Sequence, residues 1–368
     1  MIKNKKTIGG LCSGVGGIEL GFRNAGFDIS WANDMDRYAM VTYSSIIGSN
    51  HYIGKEPMKI SDIEQNHRNE VSYVNVLGAG FPCQAFSVAG RRKGFQDARG
   101  TVIWDIIHFL DEVIPKDNGK GPDVLFLENV KNFKTHNDGN TYNRIEEELY
   151  KRKYSVYTKI LNTADYSNVP QNRERTFMVC FRDEPKWNNF RFHEQEPDLR
   201  HIEKAENDCP KTYAFHKNFP KKLKSLQSID QILEDVNDDR YWYDSKSKYV
   251  KMLNELYKEM RSENAGSQDT LYQIRRVYPR ANKSKLCPTL TANMGTGGHN
   301  VPMIPFGKGE NIRWRKLTPS ECFKFQGYKK FILPKNLSNG QLYKQAGNSV
   351  SVPVITKLAK AILKSLEI

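Results

Sequence analysis

Apolar positions along the first 182 residues alternate between two spacings. Continuous apolar runs, which are typical of buried strands, lie at 7–11, 29–33, 74–77, 124–127 and 176–181. Apolar residues three and four positions apart, which are typical of helices, lie at 18–25, 102–113 and 143–153. Because short strands alternate with amphipathic helices, the pattern predicts an α/β fold with a doubly wound sheet.

The pattern changes after residue 181. Residues 182–220 are polar and contain four prolines, and the acidic stretch 221–239 is predicted to form a helix. A turn-rich stretch continues to about residue 310, which indicates a second, less regular domain. Helical periodicity returns at the end of the chain, where the apolar positions are Ile355, Leu358, Ala359, Ile362, Leu363 and Leu366. This last helix is expected to pack on the first domain.

Positive charge is concentrated in the second domain. The chain has 56 Lys and Arg against 42 Asp and Glu, a formal net charge of +14. Between residues 271 and 316 one acid, Glu310, opposes nine basic residues: Arg275, Arg276, Arg280, Lys283, Lys285, Lys308, Arg313, Arg315 and Lys316. Such a cluster favours a polyanionic partner, most often nucleic acid. A solvated basic surface is the alternative interpretation.

Cysteine use and hydropathy limit the cellular setting. None of the six cysteines belongs to a Cys-X-X-Cys pair or has a histidine at zinc-ligand spacing, so no metal site is expected. No run approaches the ~18 apolar residues of a membrane span, and the basic residues 1–6 lack the apolar run of a secretory signal. Free thiols are consistent with a cytoplasmic protein.

A glycine-rich turn follows the first predicted strand, at Ser13-Gly14-Val15-Gly16-Gly17. The spacing is not that of a dinucleotide-binding GxGxxG turn, and Glu19 is a poor neighbour for a pyrophosphate, so a nicotinamide dehydrogenase is disfavoured. A neutral or cationic ligand such as S-adenosylmethionine fits better. Asp34, after the second strand, is expected to accept hydrogen bonds from ribose hydroxyls, and Asp62, at the end of a third strand, from an adenine amino group. A tight turn with two surface acids is the alternative.

A thiol and a carboxyl follow two further predicted strands. Cys83 lies in Phe81-Pro82-Cys83-Gln84, and Glu128 directly follows the run 124–127. Because strand carboxyl ends line the ligand crevice of an α/β sheet, the two groups are expected to meet there. A thiolate attacks carbon 6 of cytosine when ring nitrogen 3 is protonated or hydrogen-bonded, and carbon 5 can then take a methyl group. A buried, inert thiol and a helix-capping acid are the alternatives.

Basic residues precede the last predicted strand of the first domain, in Gln171-Asn172-Arg173-Glu174-Arg175. Arg173 is a candidate for holding the carbonyl oxygen of cytosine, and Arg175 for ordering the site. An exposed basic turn is the alternative. Asn348, in Gly347-Asn348-Ser349-Val350, is interpreted first as a structural residue at a helix entry.

Six motifs in this order resemble the bacterial DNA (cytosine-5) methyltransferases of restriction–modification systems. They are the glycine-rich turn, Gly80-Phe81-Pro82-Cys83-Gln84, Glu128-Asn129-Val130, the segment from Gln171 to Arg175, Arg315-Lys316-Leu317-Thr318-Pro319, and Gly347-Asn348-Ser349-Val350. The likeness covers nearly the whole chain apart from about 200–310. It implies that Cys83 attacks carbon 6, Glu128 contacts ring nitrogen 3, and Arg173 binds the carbonyl oxygen with support from Arg175. The cytosine would be flipped out of the duplex.

The resemblance also implies a Rossmann-like fold for an S-adenosylmethionine-dependent methyltransferase, with a smaller irregular domain. The expected division is a catalytic domain at 1–200, a target-recognition domain at 201–312, a hinge at 313–343 and a C-terminal segment at 344–368 that packs back on the catalytic domain. The cofactor pocket would be lined by Ser13, Gly14, Gly16, Gly17, Asp34, Met35, Asp62, Ile63, Pro82, Val102, Asn348 and Val350. Candidate DNA contacts are Gln84, Ser87, Val88, Arg99, Arg275, Arg276, Arg280 and Thr289.

The chain departs from the family pattern at the cofactor end. The family's first turn usually begins Asp-Leu-Phe, whereas this chain has Gly10-Leu11-Cys12, and Met35 stands where an aromatic residue is common. Adenine is therefore expected to be packed differently in this protein.

Two alternative functions share much of this residue set. An RNA cytosine-5 methyltransferase would use the same chemistry, although the size and basic character of 200–310 favour double-stranded DNA. A DNA-binding protein without catalysis would have no use for Cys83, Glu128 and Arg173. The expectation is a monomer acting beside a restriction endonuclease of the same specificity.

Overall fold

The structure is a computed structural model that describes residues 5–81, 102–117, 121–183, 208–262, 270–275, 278–296, 300–307 and 312–367. The chain forms two compact units. Unit 1 comprises Met1–Leu161, Glu174–Lys221 and Pro353–Ile368, and unit 2 comprises Asn162–Arg173 and Lys222–Val352. The chain passes between the units four times, so this division differs from the expected series of consecutive domains.

Unit 1 is built on a six-stranded sheet with the order β2-β1-β3-β4-β6-β5. Its strands are β1 (Thr7–Leu11), β2 (Asp28–Ala32), β3 (Val76–Gly80), β4 (Val124–Val130), β5 (Ser155–Asn162) and β6 (Glu174–Phe181). Neighbouring strands from β2 to β4 are parallel, and β6 runs antiparallel to β4. The predicted α/β sheet is therefore confirmed.

The described residues of the two units also form helices. They are α1 (Gly17–Ala25), α2 (Arg37–Ile46), α3 (Ile60–Asn66), α4 (Val102–His108), α5 (Asn140–Lys151), α6 (Thr163–Tyr166), α7 (Pro210–Lys217), α8 (Lys248–Ser262), α9 (Pro319–Phe325), α10 (Asn339–Asn348) and α11 (Val352–Ser365). A π-helical turn, Phe109–Val113, continues α4, so the predicted helix at 102–113 is confirmed. Within the described residues, none of the helices is long and apolar enough to cross a bilayer.

Helix α11 packs against α1 in unit 1. A Cβ atom added to Gly21 would lie 2.4 Å from Cγ2 of Ile355, so the absence of a side chain at Gly21 allows the two helices to approach closely. Ile355, Leu358 and Ile362 are fully buried, as their helical spacing predicts.

Unit 2 contains a four-stranded antiparallel sheet with the order β10-β9-β7-β8. The strands are β7 (Tyr272–Arg275), β8 (Tyr278–Ala281), β9 (Met303–Phe306) and β10 (Arg313–Lys316). Trp314 and Tyr272 lie at the centre of its core, with ring centroids 4.9 Å apart in an edge-to-face arrangement. Such aromatic pairs stabilise a core beyond their buried area.

The prediction of a helix at 221–239 is wrong. This stretch is irregular apart from the short 3-10 turn Ile229–Gln231 and the first residue of a second one, Asp239–Tyr241. The N–H groups of Leu223 and Gln227 donate to the carbonyl oxygens of Asp165 and Asn168. These hydrogen bonds to α6 and to the residues directly after it therefore use backbone donors that a helix at 221–239 would use internally.

A buried ion pair organises the start of α9 in unit 2. The guanidinium of Arg315 donates to both carboxylate oxygens of Glu321, at 2.6 and 2.8 Å, and both side chains are 0% exposed. Glu321 also accepts the N–H of Thr318, whose hydroxyl accepts the N–H of Glu321 in return. The pair therefore joins β10 to the first turn of α9 through a reciprocal helix cap.

Replacing Glu321 by Gln is expected to destabilise the protein by about 3–5 kcal/mol, because it leaves the charge of Arg315 buried without a counter-ion. Urea denaturation followed by tryptophan fluorescence measures the change. As a control, Lys222→Met removes an exposed ion pair with Asp165 and should change stability little. Equal effects of the two variants would contradict the importance of the buried pair.

Candidate functional site

The glycine-rich turn joins β1 to α1 in a strained, tight path. Gly14 and Gly16 have φ of +54° and +80°, a left-handed region that glycine adopts without steric cost. Cys12 also has a positive φ, of +51°, which is uncommon for a residue with a side chain. Its side chain packs against the core of unit 1. A Cβ atom added to Gly14 would meet nothing within 4 Å, so the backbone of the turn is open to close approach by a ligand at Gly14, whereas Gly16 packs against Ile47 and Tyr43.

Asp34 ties the end of β2 to this turn. Its Oδ2 accepts the N–H of Gly14 at 2.7 Å, and its Oδ1 accepts the N–H of Asp36 at 2.8 Å. Burial raises the pKa of the Asp34 carboxyl, and the backbone donors partly offset that effect. Each carboxylate oxygen has a second lone pair, which suits a ligand hydroxyl.

Two polar groups are buried beneath the turn. Neither the hydroxyl of Ser13 nor the carboxyl of Glu19 makes a hydrogen bond of good geometry within the described residues. Buried polar atoms of this kind usually have a partner, so their presence here favours a ligand that is polar or charged. The turn, Asp34 and these two groups together fit S-adenosylmethionine, which carries ribose hydroxyls and a sulfonium cation.

Other predicted cofactor residues have different surroundings. Asp62 is the third residue of α3 and accepts the N–H of Lys59, so the expected strand end is wrong and Asp62 caps a helix. Ile63 is fully buried in the core of unit 1, and Val102 packs against that same core. Met35 is 67% exposed beside Asp34. Asp62, Ile63 and Val102 therefore make contacts within unit 1, and a role at the cofactor stays a prediction for these three residues and for Met35.

Glu128 lies within β4, which continues two residues beyond it to Val130. Its parallel neighbour on β3 is Gly80, and a Cβ atom added there would lie 3.7 Å from Oε2 of Glu128. Arg175, at the start of β6, places its Nε 3.2 Å from Oε1 of Glu128, and both side chains are largely buried. Burial lowers the pKa of Arg175, and the charge of Glu128 opposes that shift. A buried carboxyl and guanidinium thus meet at the carboxyl edge of the sheet.

Asn129 fixes the chain directly before the thiol candidate. Its Nδ2 donates to the carbonyl oxygen of Phe81 at 3.0 Å, and both side chains are buried. Sequence reasoning did not identify this contact, although Asn129 lies in the same motif as Glu128. The predicted residues Pro82, Cys83, Gln84, Ser87, Val88, Arg99 and Arg276 lie outside the described residues.

Arg173 belongs to unit 2 and is only 2% exposed. Its guanidinium donates to the carbonyl oxygens of Leu290 (2.9 Å), Gly347 (3.3 Å) and Ser349. Gly347 is required there for space, because an added Cβ atom would lie 2.1 Å from the carbonyl carbon of Thr291. Arg173 therefore joins the segment before Thr291 to the end of α10.

The neighbouring candidates in unit 2 divide between exposed and buried positions. Asn348 is the last residue of α10 and is exposed, so it ends a helix rather than beginning one, and Val350 is buried. The hydroxyl of Thr289 donates to the carbonyl oxygen of Asn172 at 2.6 Å. This contact adds a further link between residues 171–173 and the segment at 287–291.

The β7–β8 hairpin presents cations to solvent. Arg275 and Arg280 are exposed on opposite strands, and Arg275 pairs with Tyr278, which is also exposed. Tyr272 and Ile274 on β7 face the core instead. Alternation along the strands thus places two guanidinium groups and one aromatic ring on one accessible face, an arrangement suited to a phosphate backbone or base edges.

Comparisons with known proteins give matches along nearly the whole chain. A family model described as C-5 cytosine-specific DNA methylase matches residues 7–364. The chain is 42% identical to the type II methyltransferase M.Bsp6I of Bacillus sp. (strain RFL6), over 98% of this chain and 99% of that protein. It is 32% identical to the type II methyltransferase M.HhaI of Haemophilus parahaemolyticus, over 99% and 98%. The S. pombe Dnmt2 methyltransferase has the same fold, with a TM-score of 0.63 at 17% identity over 99% of this chain and 100% of that one.

Replacing Arg173 by Met is expected to increase backbone hydrogen exchange around Leu290 and Ser349, because their carbonyl oxygens lose a shared donor. Hydrogen–deuterium exchange with mass spectrometry measures this directly. The matched control is Arg175→Met, which removes a guanidinium from unit 1 and should leave both segments unchanged. Unaltered exchange in the Arg173 variant would contradict its tethering contacts.

Proposed function

Because the chain belongs to the C-5 cytosine-specific DNA methylase family, we propose that Cys83 is the nucleophile with which it methylates cytosine at a specific double-stranded DNA site. The chain is a DNA cytosine-5 methyltransferase, and its methyl donor is S-adenosylmethionine. The observation that carries the proposal is the buried pair of Glu128 and Arg175 beside Gly80, three residues before Cys83 along the chain.

The proposed reaction begins with the thiolate of Cys83. It forms a bond to carbon 6 while Glu128 holds ring nitrogen 3 through a proton, so electron density moves to carbon 5. Carbon 5 then takes the methyl group that S-adenosylmethionine supplies. Loss of the carbon 5 hydrogen as a proton expels the Cys83 thiolate and restores the aromatic ring. The methyl group has replaced one hydrogen, and the enzyme regains its starting state.

We assign the contact with the cytosine carbonyl oxygen to Arg175 instead of Arg173. Arg175 lies against Glu128, and its Nη2 makes no hydrogen bond within the described residues. The guanidinium of Arg173 already donates to three carbonyl oxygens of unit 2. Arg173 therefore holds the segments at Leu290 and at residues 347–349 in place. This assignment reverses the roles that the sequence suggested for the two arginines.

The biological setting is proposed from the relatives. Several of them are named type II methyltransferases, so we propose that this enzyme marks a short DNA sequence and protects it from an endonuclease of the same specificity. The exposed cations of the β7–β8 hairpin support a DNA-reading role for unit 2. We further propose that it acts as a monomer in the cytoplasm.

Incubation of unmodified genomic DNA with the enzyme and S-adenosylmethionine is expected to yield 5-methylcytosine in one recurring sequence, read by methylation sequencing. Cys83→Ala should give none, because no bond to carbon 6 can form, while it still binds the cofactor. Transfer to RNA alone would contradict the DNA assignment. Retained activity in the Cys83 variant would contradict the nucleophile.

Glu128→Gln is expected to lower kcat by about 10²–10⁴, the usual contribution of a positioned acid–base group. Arg175→Met should lower kcat by about 10²–10³, as for loss of one preorganised donor. Single-turnover methylation of a cognate duplex measures both decreases as changes in the rate of methyl transfer, separately from product release. Thermal melting separates the two arginines: Arg173→Met should lower Tm more than Arg175→Met does. If Arg173→Met instead lowers kcat more than Arg175→Met does, and Arg175→Met lowers Tm more, the contact with the carbonyl oxygen belongs to Arg173.

A further inference from the structure

Glu19 is a carboxylic acid buried beneath the glycine-rich turn. It lies in the first turn of α1 and is 1% exposed. Its carboxyl occupies the space beside Gly10, since an added Cβ atom on Gly10 would lie 1.8 Å from Oε1 of Glu19 and 2.6 Å from Oγ of Ser13. Gly10 lies in β1 and is not among the glycines of positive φ, so space and not conformation requires glycine there.

Packing alone does not explain an acid at this position. Burial of a carboxyl without firm hydrogen bonds costs free energy that an apolar side chain would avoid. Among the described residues, no donor makes a hydrogen bond of good geometry to either oxygen. Burial raises the pKa of Glu19 to about 7; Asp34 acts in the same direction, and the Ser13 hydroxyl acts against both. The acid therefore titrates near neutral pH inside a turn that already holds Asp34.

We infer that Glu19 makes the cofactor turn selective for charge, so that the enzyme binds cationic S-adenosylmethionine in preference to its product. S-Adenosylhomocysteine has a neutral sulfur and thus one positive charge fewer than the methyl donor. The attraction between an ionised carboxyl and this additional charge is stronger in a low-dielectric site than the same attraction in water. This inference rests on the proposed place of the cofactor at the glycine-rich turn.

Glu19 and Asp34 are the two carboxyls of the cluster around the glycine-rich turn, and burial raises the pKa of both. The groups that interact with Glu19 directly or through Asp34 are Ser13 in the turn, Asp34 after β2, Tyr43 on α2, Tyr52 and Cys12. Burial raises the pKa of Tyr43, Tyr52 and Cys12 far above neutrality, so these three stay uncharged. Arg23 on the same helix directs its Nη1 to the carbonyl oxygen of Ile47.

The sign of the pH effect follows from linkage. A bound cation stabilises the ionised form of Glu19 and lowers its pKa, so binding releases a proton. Affinity for S-adenosylmethionine should therefore rise as pH increases from 6 to 8, and the gain should be lost below about pH 7. The product should show a weaker dependence.

Isothermal titration calorimetry of both ligands, in two buffers of different ionisation enthalpy, tests this with the full-length enzyme. Glu19→Gln should weaken S-adenosylmethionine binding about tenfold at pH 8 and weaken product binding less. At pH values below about 7, where Glu19 is protonated before the cation binds, the variant should also lack the proton release of the unaltered enzyme. An unchanged ratio of the two affinities together with unchanged proton release would overturn the inference. Asp34→Asn provides the positional control: if it alters cofactor binding and Glu19→Gln does not, the inference fails while the cofactor placement stands. If neither matters, the placement fails too.

A double variant moves the carboxyl from helix to strand. Gly10→Asp with Glu19→Ala returns an acid to this part of the turn, where the Ser13 hydroxyl must move away from the new Cβ atom, and should restore the preference for the methyl donor. If this double variant has the Tm of the unaltered enzyme but does not prefer the methyl donor, the electrostatic role of the carboxyl is contradicted.

Melting of the ligand-free Glu19→Gln protein is a second readout. Burial raises the pKa of Glu19 to about 7, so the cost of ionising it in the folded protein grows as pH rises towards that value and is complete above it. The Glu19→Gln variant lacks this cost, so its Tm relative to that of the unaltered enzyme should be higher at pH 8 than at pH 6.

Discussion

The antiparallel pairing of β6 with β4 decides which side chains meet at the carboxyl edge of the sheet. In an all-parallel sheet the residues before a strand lie at the opposite edge from those that end its neighbours. Because β6 is reversed, its first residues lie beside the last residues of β4, and Arg175 pairs in register with Val130. Glu128 on β4, Gly80 on β3 and Arg175 on β6 are thereby collected at one edge from three separate regions of the sequence.

The same reversal gives two nearby arginines different surroundings. Arg173 precedes β6 and directs its guanidinium to backbone carbonyls of unit 2, whereas Arg175 lies within β6 and faces Glu128. Both guanidinium groups are removed from water, but they are compensated differently. Arg173 donates through Nη1 and Nη2 to three backbone carbonyl oxygens. Arg175 faces one carboxylate through its Nε, which leaves other N–H groups of its guanidinium for a ligand. The sequence, in which one residue separates the two arginines, therefore does not indicate which of them contacts the substrate.

Much of unit 1 could be predicted from sequence because β1, β3 and β4 are almost entirely buried and therefore form continuous apolar runs, whereas β5, which the sequence did not predict, contains more polar and partly exposed positions. The run at 124–127 located β4, but the strand continues through the polar residues Glu128 and Asn129, which hydropathy treats as a loop. The helix predicted at 221–239 failed because the backbone donors of Leu223 and Gln227 are used by residues far away in sequence. Asp62 was misplaced for a related reason: its helix cap depends on local backbone geometry that composition does not encode. The acidic Glu19 was noticed only as an obstacle to pyrophosphate, since no local pattern shows that its carboxyl fills the space beside Gly10.

The contact between Gly10 and Glu19 also constrains how this protein can change by mutation. A side chain gained at position 10 while Glu19 remains would force two groups into one space, and loss of the Glu19 carboxyl while Gly10 remains would leave that space hollow. The stability effects of substitutions at the two positions are therefore expected to be non-additive, although the residues are nine positions apart and belong to different elements. The size of side chain that position 10 can accept depends on what fills the neighbouring space from position 19.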